Sequence, residues 1–279
     1  MNHDAVRKIY EAKGRPSDNP LILHVDSILM ASQLVHMNHL AEKLALKFWP
    51  APLTMVLPAK SIIPSITRGG LDTAAVRMPD NPIALGLISS AQTPIAAPSA
   101  NLSGRPSPTD AESVYADMNG RIDMIIDGGS SNLGIESTVI DLTDPNRILL
   151  LRPGGMNREL IEAELGMPLE VPDTQSAKRS PGTRYRHYAP SIPVKIWHTD
   201  EKFPECDYDS AGYIGMHEPP VKTAGMLMCS SWDEYSHELF AAFRKFEAKG
   251  YLCIITEWPA ENSGINEGLR DRIIRAAVD

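Results

Sequence analysis

The feature that most limits how this chain can fold is the stretch PLEVPDTQSAKRSPGTRYRHYAPSIP, which is dense in proline, serine and cations. It carries neither a two-residue nor a 3.6-residue apolar period, so it has no face to bury. The residues before and after it must therefore build separate cores. A chain of 279 residues exceeds the usual domain of roughly 100 to 200 residues. The reading is a larger domain over residues 1–166, a linker over 167–193 and a smaller domain over 194–279.

Both flanks alternate between helical and strand periods. Asp4 to Ala12 reads as a helix through Val6, Ile9 and Tyr10, with Gly14 placed to end it. PLILHV follows as a strand, and HLAEKLALKFWP repeats Leu40, Leu44 and Phe48 at helical spacing until Pro50 stops it. LTMVLPA, TAAVRMP and TPIAAPS read as strands, with the helix PIALGLISSA opened by Asn81 and Pro82. Thr109 and Glu112 have capping-box spacing before AESVYADM. MIIDGG, STVIDL and RILLLRPG then predict three more strands. Beyond the linker, VKIWH, AGYIGM, AGMLMC and YLCIITEWP predict strands, while DEYSHELFAAFRKFEAKG and GLRDRIIRAAV predict amphipathic helices. The expected class is α/β, with a mixed twisted sheet and flanking helices followed by a small α/β domain.

Composition excludes several functions. No run approaches the roughly 20 apolar residues of a membrane span, and MNHDAVRKIYEAKGR lacks the apolar centre of a secretory signal. A cytoplasmic protein is expected. Cys206, Cys229 and Cys253 are odd in number and far apart, which points to buried thiols. A net charge of -8 argues against coating nucleic acid by bulk electrostatics, so any RNA contact would be local. The chain contains no GxxxxGK[ST] loop, no GxGxxG after a strand, no GxSxG elbow and no HExxH, which excludes the common nucleotide and hydrolase machines.

Polar residues at strand ends and in the following loops are the candidates. Lys13 and Arg15 straddle Gly14, a pair suited to a polyphosphate or simply to a solvated helix end. Ser99 and Asn101 could offer hydroxyl and amide to a phosphate or ribose, or could cap a turn. Arg77 and Arg152 leave apolar strands, where a guanidinium needs either an anionic ligand or an internal carboxylate. His24 sits in the first strand as a core residue or a ligand. Lys178, Arg179, Arg184, Arg186 and His187, beside Tyr185 and Tyr188, could cover a nucleotide or merely solvate the linker.

Taken in order, KGRPSDNPLILHV, FWPAPLTMVL, AAVRMP, APSANLSGRPSPT, GIESTVID, LLRPG and SPGTRYRHYAP resemble the threonylcarbamoyl-AMP synthase family with its YrdC-like catalytic domain. The SPGTRYRHYAP linker and a trailing α/β domain are similar to the long, two-domain branch, whose second domain is Rossmann-like. The resemblance implies synthesis of threonylcarbamoyl-AMP from L-threonine, bicarbonate and ATP, with magnesium accompanying ATP, for modification of tRNA. It assigns Lys13, Arg15, Ser99 and Asn101 to the signature cluster. Arg15, Asn19, Thr73, Ser99, Ser107, Arg152 and Ser180 would face ATP, and His24, Arg77, Ala97 and Ser137 would surround threonine, with no metal ligand from the protein. The linker's basic and aromatic residues, otherwise unexplained, are expected to fold back as a lid over the ATP pocket; transient contact with tRNA or the downstream transferase is expected, and no membrane.

Two departures from the family stand out. Ala51 occupies a position where glycine is usual, which requires a negative φ there. The family's upstream PTET-VYGLG segment, a core strand with a threonine-binding residue, does not precede the first helix. Either the sequence is truncated or its start misplaced, or this is a variant whose pocket lacks one wall, leaving open an active enzyme, an inactive truncated form or a non-catalytic nucleotide- or RNA-binding module. A serine hydrolase built on Ser99 and His24 would lack the elbow and the triad order.

Overall fold

The structure, a computed structural model, describes residues 2–173, 176–179 and 188–277. In chain order the first elements are α1 (His3–Lys13), β1 (Ile22–His24), α2 (Ile28–Leu34), α3 (His39–Phe48), β2 (Leu53–Pro58), β3 (Thr73–Arg77), α4 (Pro82–Ala91) and β4 (Ile95–Ala96). Next come α5 (Ala111–Met118), β5 (Thr138–Asp141), β6 (Leu149–Arg152) and α6 (Arg158–Leu165). The remainder holds β7 (Val194–Trp197), β8 (Ala211–Gly215), β9 (Gly225–Met228), α7 (Trp232–Ala248), β10 (Cys253–Glu257) and α8 (Ile265–Ala277).

Packing sorts the chain into one unit of residues 1–99 with 136–184 and another of 100–135 with 185–279. The first unit is a mixed sheet in the order β4-β1-β3-β2-β5-β6. β1 runs parallel to β3 and β2 parallel to β5, and the other neighbours are antiparallel. Alternate residues project to opposite faces. Leu23, Met55, Val76, Ile140 and Leu150 join Ala31 and Leu34 of α2, Leu40 and Leu44 of α3 and Ile161 of α6 in the main core. Ile22, Ala75, Val56, Val139, Leu149 and Leu151 form a smaller apolar patch on the other face. That second face carries the polar residues described below.

The second unit holds a parallel sheet in the order β7-β10-β8-β9. Tyr235, Leu239, Phe240 and Phe243 of α7 and Leu269 and Ile273 of α8 pack with Ile214 and Ile254 on one face. Trp197, Phe203, Tyr213 and Ile255 fill the other. This is the small Rossmann-like domain expected, and the helices named from periodicity fall where α1, α3, α4, α5, α7 and α8 lie.

The structure corrects several details. The segment 100–135 groups by packing with the described residues from 188 onward. The linker begins later than 167, because Glu170 exchanges backbone hydrogen bonds with Leu150 and Ile148, at 2.9 and 2.8 Å, and Leu169 is buried in the first core. MIIDGG is not a strand, and Met124 and Ile126 are 76% and 54% exposed, so their apolar run buries nothing that would fix a strand. The cap of α5 is Asp110, whose side chain accepts from Ser113 N at 2.7 Å, one residue after Thr109. α2 and α6 are short helices that no periodicity announced. Asn81 caps α4 as expected. Ala51 is not among the positive-φ residues, so the alanine sits there without strain.

Candidate functional site

The first part of the site is the loop after α1. Gly14 ends that helix in the left-handed region at φ 60°, leaving Lys13 at its last position, 5% exposed. The Lys13 ammonium donates to the Ser99 carbonyl, so a nearly buried cation is held against the strand end that carries Ser99. Arg15 folds back over its own loop, its Nε donating to Asn19 O at 3.3 Å and its Nη2 to Pro20 O at 3.0 Å. Tyr10 donates from its hydroxyl to Ile66 O at 2.9 Å and to Asn19 O at 3.2 Å. Burial raises that hydroxyl to about 12, opposed by the Arg15 charge, so it stays a neutral donor at ordinary pH. Gly69 closes the loop from outside: its φ is +58° and a Cβ there would lie 2.5 Å from Asp18 O. Asn19 is fully buried beneath this arrangement.

The second part is a row across the sheet. Strand register pairs His24 with Arg77, Arg77 with Thr54, Thr54 with Val139, and Val139 with Arg152. Residues paired in register project to one face, so His24, Arg77 and Thr54 stand beyond the patch of Ile22, Ala75 and Val56. Arg77 donates from Nε to Ala51 O at 3.1 Å and lies 3.7 Å from Asp80. Burial lowers its pKa, Asp80 supports the charge and Arg152 opposes it. Burial, and then the Arg77 charge, pushes His24 down to about 4, with the Ile95 and Ile22 carbonyls partly compensating. His24 is thus neutral at pH 7, and its Nδ1 meets no hydrogen-bond partner among the described residues.

Ser137 links this row to β6. Its hydroxyl lies 2.8 Å from Thr54 Oγ1, and Arg152 donates from Nη2 to the Ser137 carbonyl at 2.9 Å and hydroxyl at 3.2 Å. Gly154 permits the approach, since a Cβ on it would come within 2.3 Å of Glu136 O. Thr73 opens β3 opposite Pro58. Ala97 donates its N–H to Ile22 O at 3.0 Å and so continues the edge of β4. Among the described residues of the first unit, the structure joins Lys13 to Ser99, His24 to Arg77 by register, and Ser137 to Arg152.

Asn101 and Ser107 belong to the second unit, both nearly buried. The Asn101 amide donates to Leu102 O at 2.8 Å and Arg105 O at 2.9 Å, closing a tight turn. Ser180, Arg184, Tyr185, Arg186 and His187 lie outside the described residues, as does the Lys178 side chain, and with them the expected lid. Two flanking residues have other duties. Arg179 donates to Asp141 at 2.8 Å and Thr143 at 3.0 Å. Tyr188 stacks on Phe240 with ring centroids 5.3 Å apart. The sequence reading missed Thr54, whose signal was a polar residue in step with Val56 inside an apolar strand, and Asp80, three residues after Arg77. All three cysteines are free, with Cys229 and Cys253 buried.

Residues 1–154 match the family described as Telomere recombination, which groups the Sua5, YciO and YrdC proteins. Residues 156–278 match the threonylcarbamoyl-AMP synthase C-terminal domain. A threonylcarbamoyl-AMP synthase of Pyrococcus abyssi is 41% identical over 99% of this chain and 85% of its own length. One of Bacillus subtilis is 51% identical over 70% of this chain and 58% of its own length. The crystal structure of P. abyssi Sua5 complexed with L-threonine superposes with a TM-score of 0.89 at 39% identity, covering 99% of this chain and 85% of that one. With both domains matched in order along its length, the chain belongs to the threonylcarbamoyl-AMP synthase family.

Proposed function

We propose that this chain joins L-threonine, bicarbonate and ATP into threonylcarbamoyl-AMP, releasing pyrophosphate, to supply the modification of tRNA adenosine. The observation that carries this reading is the polar row His24, Arg77 and Thr54 on the sheet face opposite α2, α3 and α6, in a chain whose P. abyssi relative was crystallised with L-threonine. Arg77 would grip the amino-acid carboxylate, which a planar guanidinium binds through two parallel hydrogen bonds. A neutral His24 suits that pocket, because a second cation beside Arg77 would repel the threonine ammonium.

The threonine amine captures carbon dioxide derived from bicarbonate. The resulting carbamate oxygen attacks the α-phosphorus of ATP and pyrophosphate leaves, so no covalent enzyme intermediate is required. Lys13, Arg15, Ser99 and Asn101 would hold the phosphates, with Asn19, Thr73, Ser107, Arg152 and Ser180 on the nucleotide side. Ala97 and Ser137 would complete the threonine side. Catalysis in this reading is alignment and charge stabilisation. Magnesium would enter on the ATP phosphates and offset their charge; among the described residues no group of three or more His, Cys, Asp or Glu comes together to ligate it. No helix among the described residues is long and apolar enough to cross a membrane, and the reaction proposed is a cytoplasmic one. With a net charge of -8, any encounter with tRNA or the downstream transferase would use a local surface.

The test is threonine-dependent pyrophosphate release from ATP and bicarbonate, with the adenylate detected by mass spectrometry. Product that vanishes in Arg77→Ala supports the reading. ATP binding without pyrophosphate release would leave a nucleotide-binding module instead.

A further inference from the structure

Asn101 stands in a turn whose position is set by a buried charge network. Asp117, at the end of α5, has a side chain 0% exposed. It accepts from Leu102 N at 3.3 Å, from Arg105 Nη1 at 3.0 Å and from Arg244 Nη2 at 2.8 Å. Arg244, on α7, also donates to Pro106 O at 2.5 Å. Glu247, one turn further along α7, accepts from Arg105 Nη2 at 2.8 Å and Ser191 N at 2.8 Å. Burial works to raise the Asp117 carboxyl, but the hydrogen bonds and charges of Arg244 and Arg105 hold it below its ordinary value.

The turn itself has little freedom of its own. Because the Asn101 Nδ2 is committed to the Leu102 and Arg105 carbonyls, the orientation of its amide follows the backbone of residues 102–105. Asp117, Arg244 and Glu247 fix that backbone. A buried ion network is a poor source of net stability compared with apolar packing, while it specifies one geometry strongly. A second anchor lies at the far end of the same segment. Gly134, at φ +70°, sits where a Cβ would meet His237 O at 2.3 Å, so α7 is in backbone contact there too. Residues 101–107 fall in the first family domain and α7 in the second, yet both lie in one packed unit.

We infer that α7 of the C-terminal domain positions the Asn101 turn for nucleotide binding through Arg244, Asp117, Arg105 and Glu247. This role rests on the proposed reading of Asn101 as an ATP ligand. Arg244 touches no substrate in this account and acts as a positioning residue. Arg244→Lys fails to replace it, because one ammonium cannot reach both Asp117 oxygens and the Pro106 carbonyl together.

The experiment compares full-length wild type, Arg244→Met, Arg244→Lys, Asn101→Ala and the double variant Asn101→Ala/Arg244→Met. KM for ATP and for threonine and kcat are measured for each, with thermal unfolding alongside. A displaced ligand at a site of alignment loses roughly tenfold or more. Both Arg244 variants are therefore expected to raise the KM for ATP about tenfold, with the KM for threonine within about twofold of wild type. The double variant should be no worse than Asn101→Ala alone, since coupled residues are non-additive. An ATP KM that stays within about twofold in Arg244→Met while Asn101→Ala raises it, or a double variant that is fully additive, overturns the positioning role. A wild type whose ATP KM is indifferent to Asn101→Ala overturns the reading of Asn101, and the inference with it. Where Arg244→Met fails to fold, the near-isosteric Glu247→Gln replaces it, with a rise of about threefold in the same KM supporting the inference and no rise overturning it.

Discussion

At the scale of single residues, Arg77 and His24 share one register position and differ in what the sequence could say of them. A guanidinium after TAAV had to have a partner, and the structure supplies Ala51 O and Asp80. Arg77→Lys keeps the charge and loses the planar fork. It is expected to raise the KM for threonine roughly ten- to a hundredfold, since a charge-assisted hydrogen bond is worth about 1.5 to 3 kcal/mol; an unchanged KM would remove Arg77 from the carboxylate. The neutrality of His24 was not legible, because its surroundings come from β3 and β4, distant in sequence. Its folded pKa of about 4 lies below the unfolded value near 6.5. Between those values the unfolded chain binds more protons, so the His24 contribution to stability is complete above about pH 6.5 and is lost as pH falls toward 4. Denaturant unfolding at a series of pH values from 7 to 4 should show a shallower loss in His24→Gln than in wild type. Parallel curves would mean that His24 titrates at its ordinary value.

At the scale of elements, the apolar periods were sufficient for the strands of the first sheet and for the long helices, because those elements bury a face. They misled at MIIDGG, where an apolar run packs against no sheet, and at the start of the linker, where Leu169 and Glu170 join β6 through a single bridge too short to show a period. The loop from Lys13 to Pro20 was visible as a turn, but its rigidity was not, since Gly69 lies far away in the chain. Gly69→Ala meets both a positive φ and a 2.5 Å approach to Asp18 O. Each such strain costs of order 1 to 3 kcal/mol. The variant is expected to lower the melting temperature by several degrees and to weaken ATP binding, because Asp18 lies in the loop that Arg15 closes. Calorimetric titration with ATP checks this: a variant that unfolds earlier yet binds ATP as wild type does would separate loop strain from the phosphate site.

At the scale of the whole molecule, a sequence break and a packing break do not coincide. The proline-rich stretch announces two domains, and the two matched family domains meet between 154 and 156. Packing nevertheless assigns 100–135 to the same unit as α7 and α8. No local pattern carried that, because Arg105 and Asp117 lie more than a hundred residues before Arg244 and Glu247 in the chain. The consequence is cooperative: the amides of 100–135 should exchange with deuterium at the pace of the second unit rather than that of 1–99. Asp117 and Glu247 are both held below the ordinary carboxylate values, against burial, chiefly by Arg244 and Arg105 for the first and by Ser191 and Arg105 for the second. A lowered carboxylate contributes stability that is complete above its unfolded pKa, near 4, and is lost as pH falls through the folded value. Exchange in 101–107, corrected for the intrinsic pH dependence, should therefore accelerate below about pH 4 in wild type, and in Asp117→Asn already at neutral pH. Exchange of 100–135 in step with 1–99, or an Asp117→Asn variant protected like wild type, would show that α7 does not hold this segment.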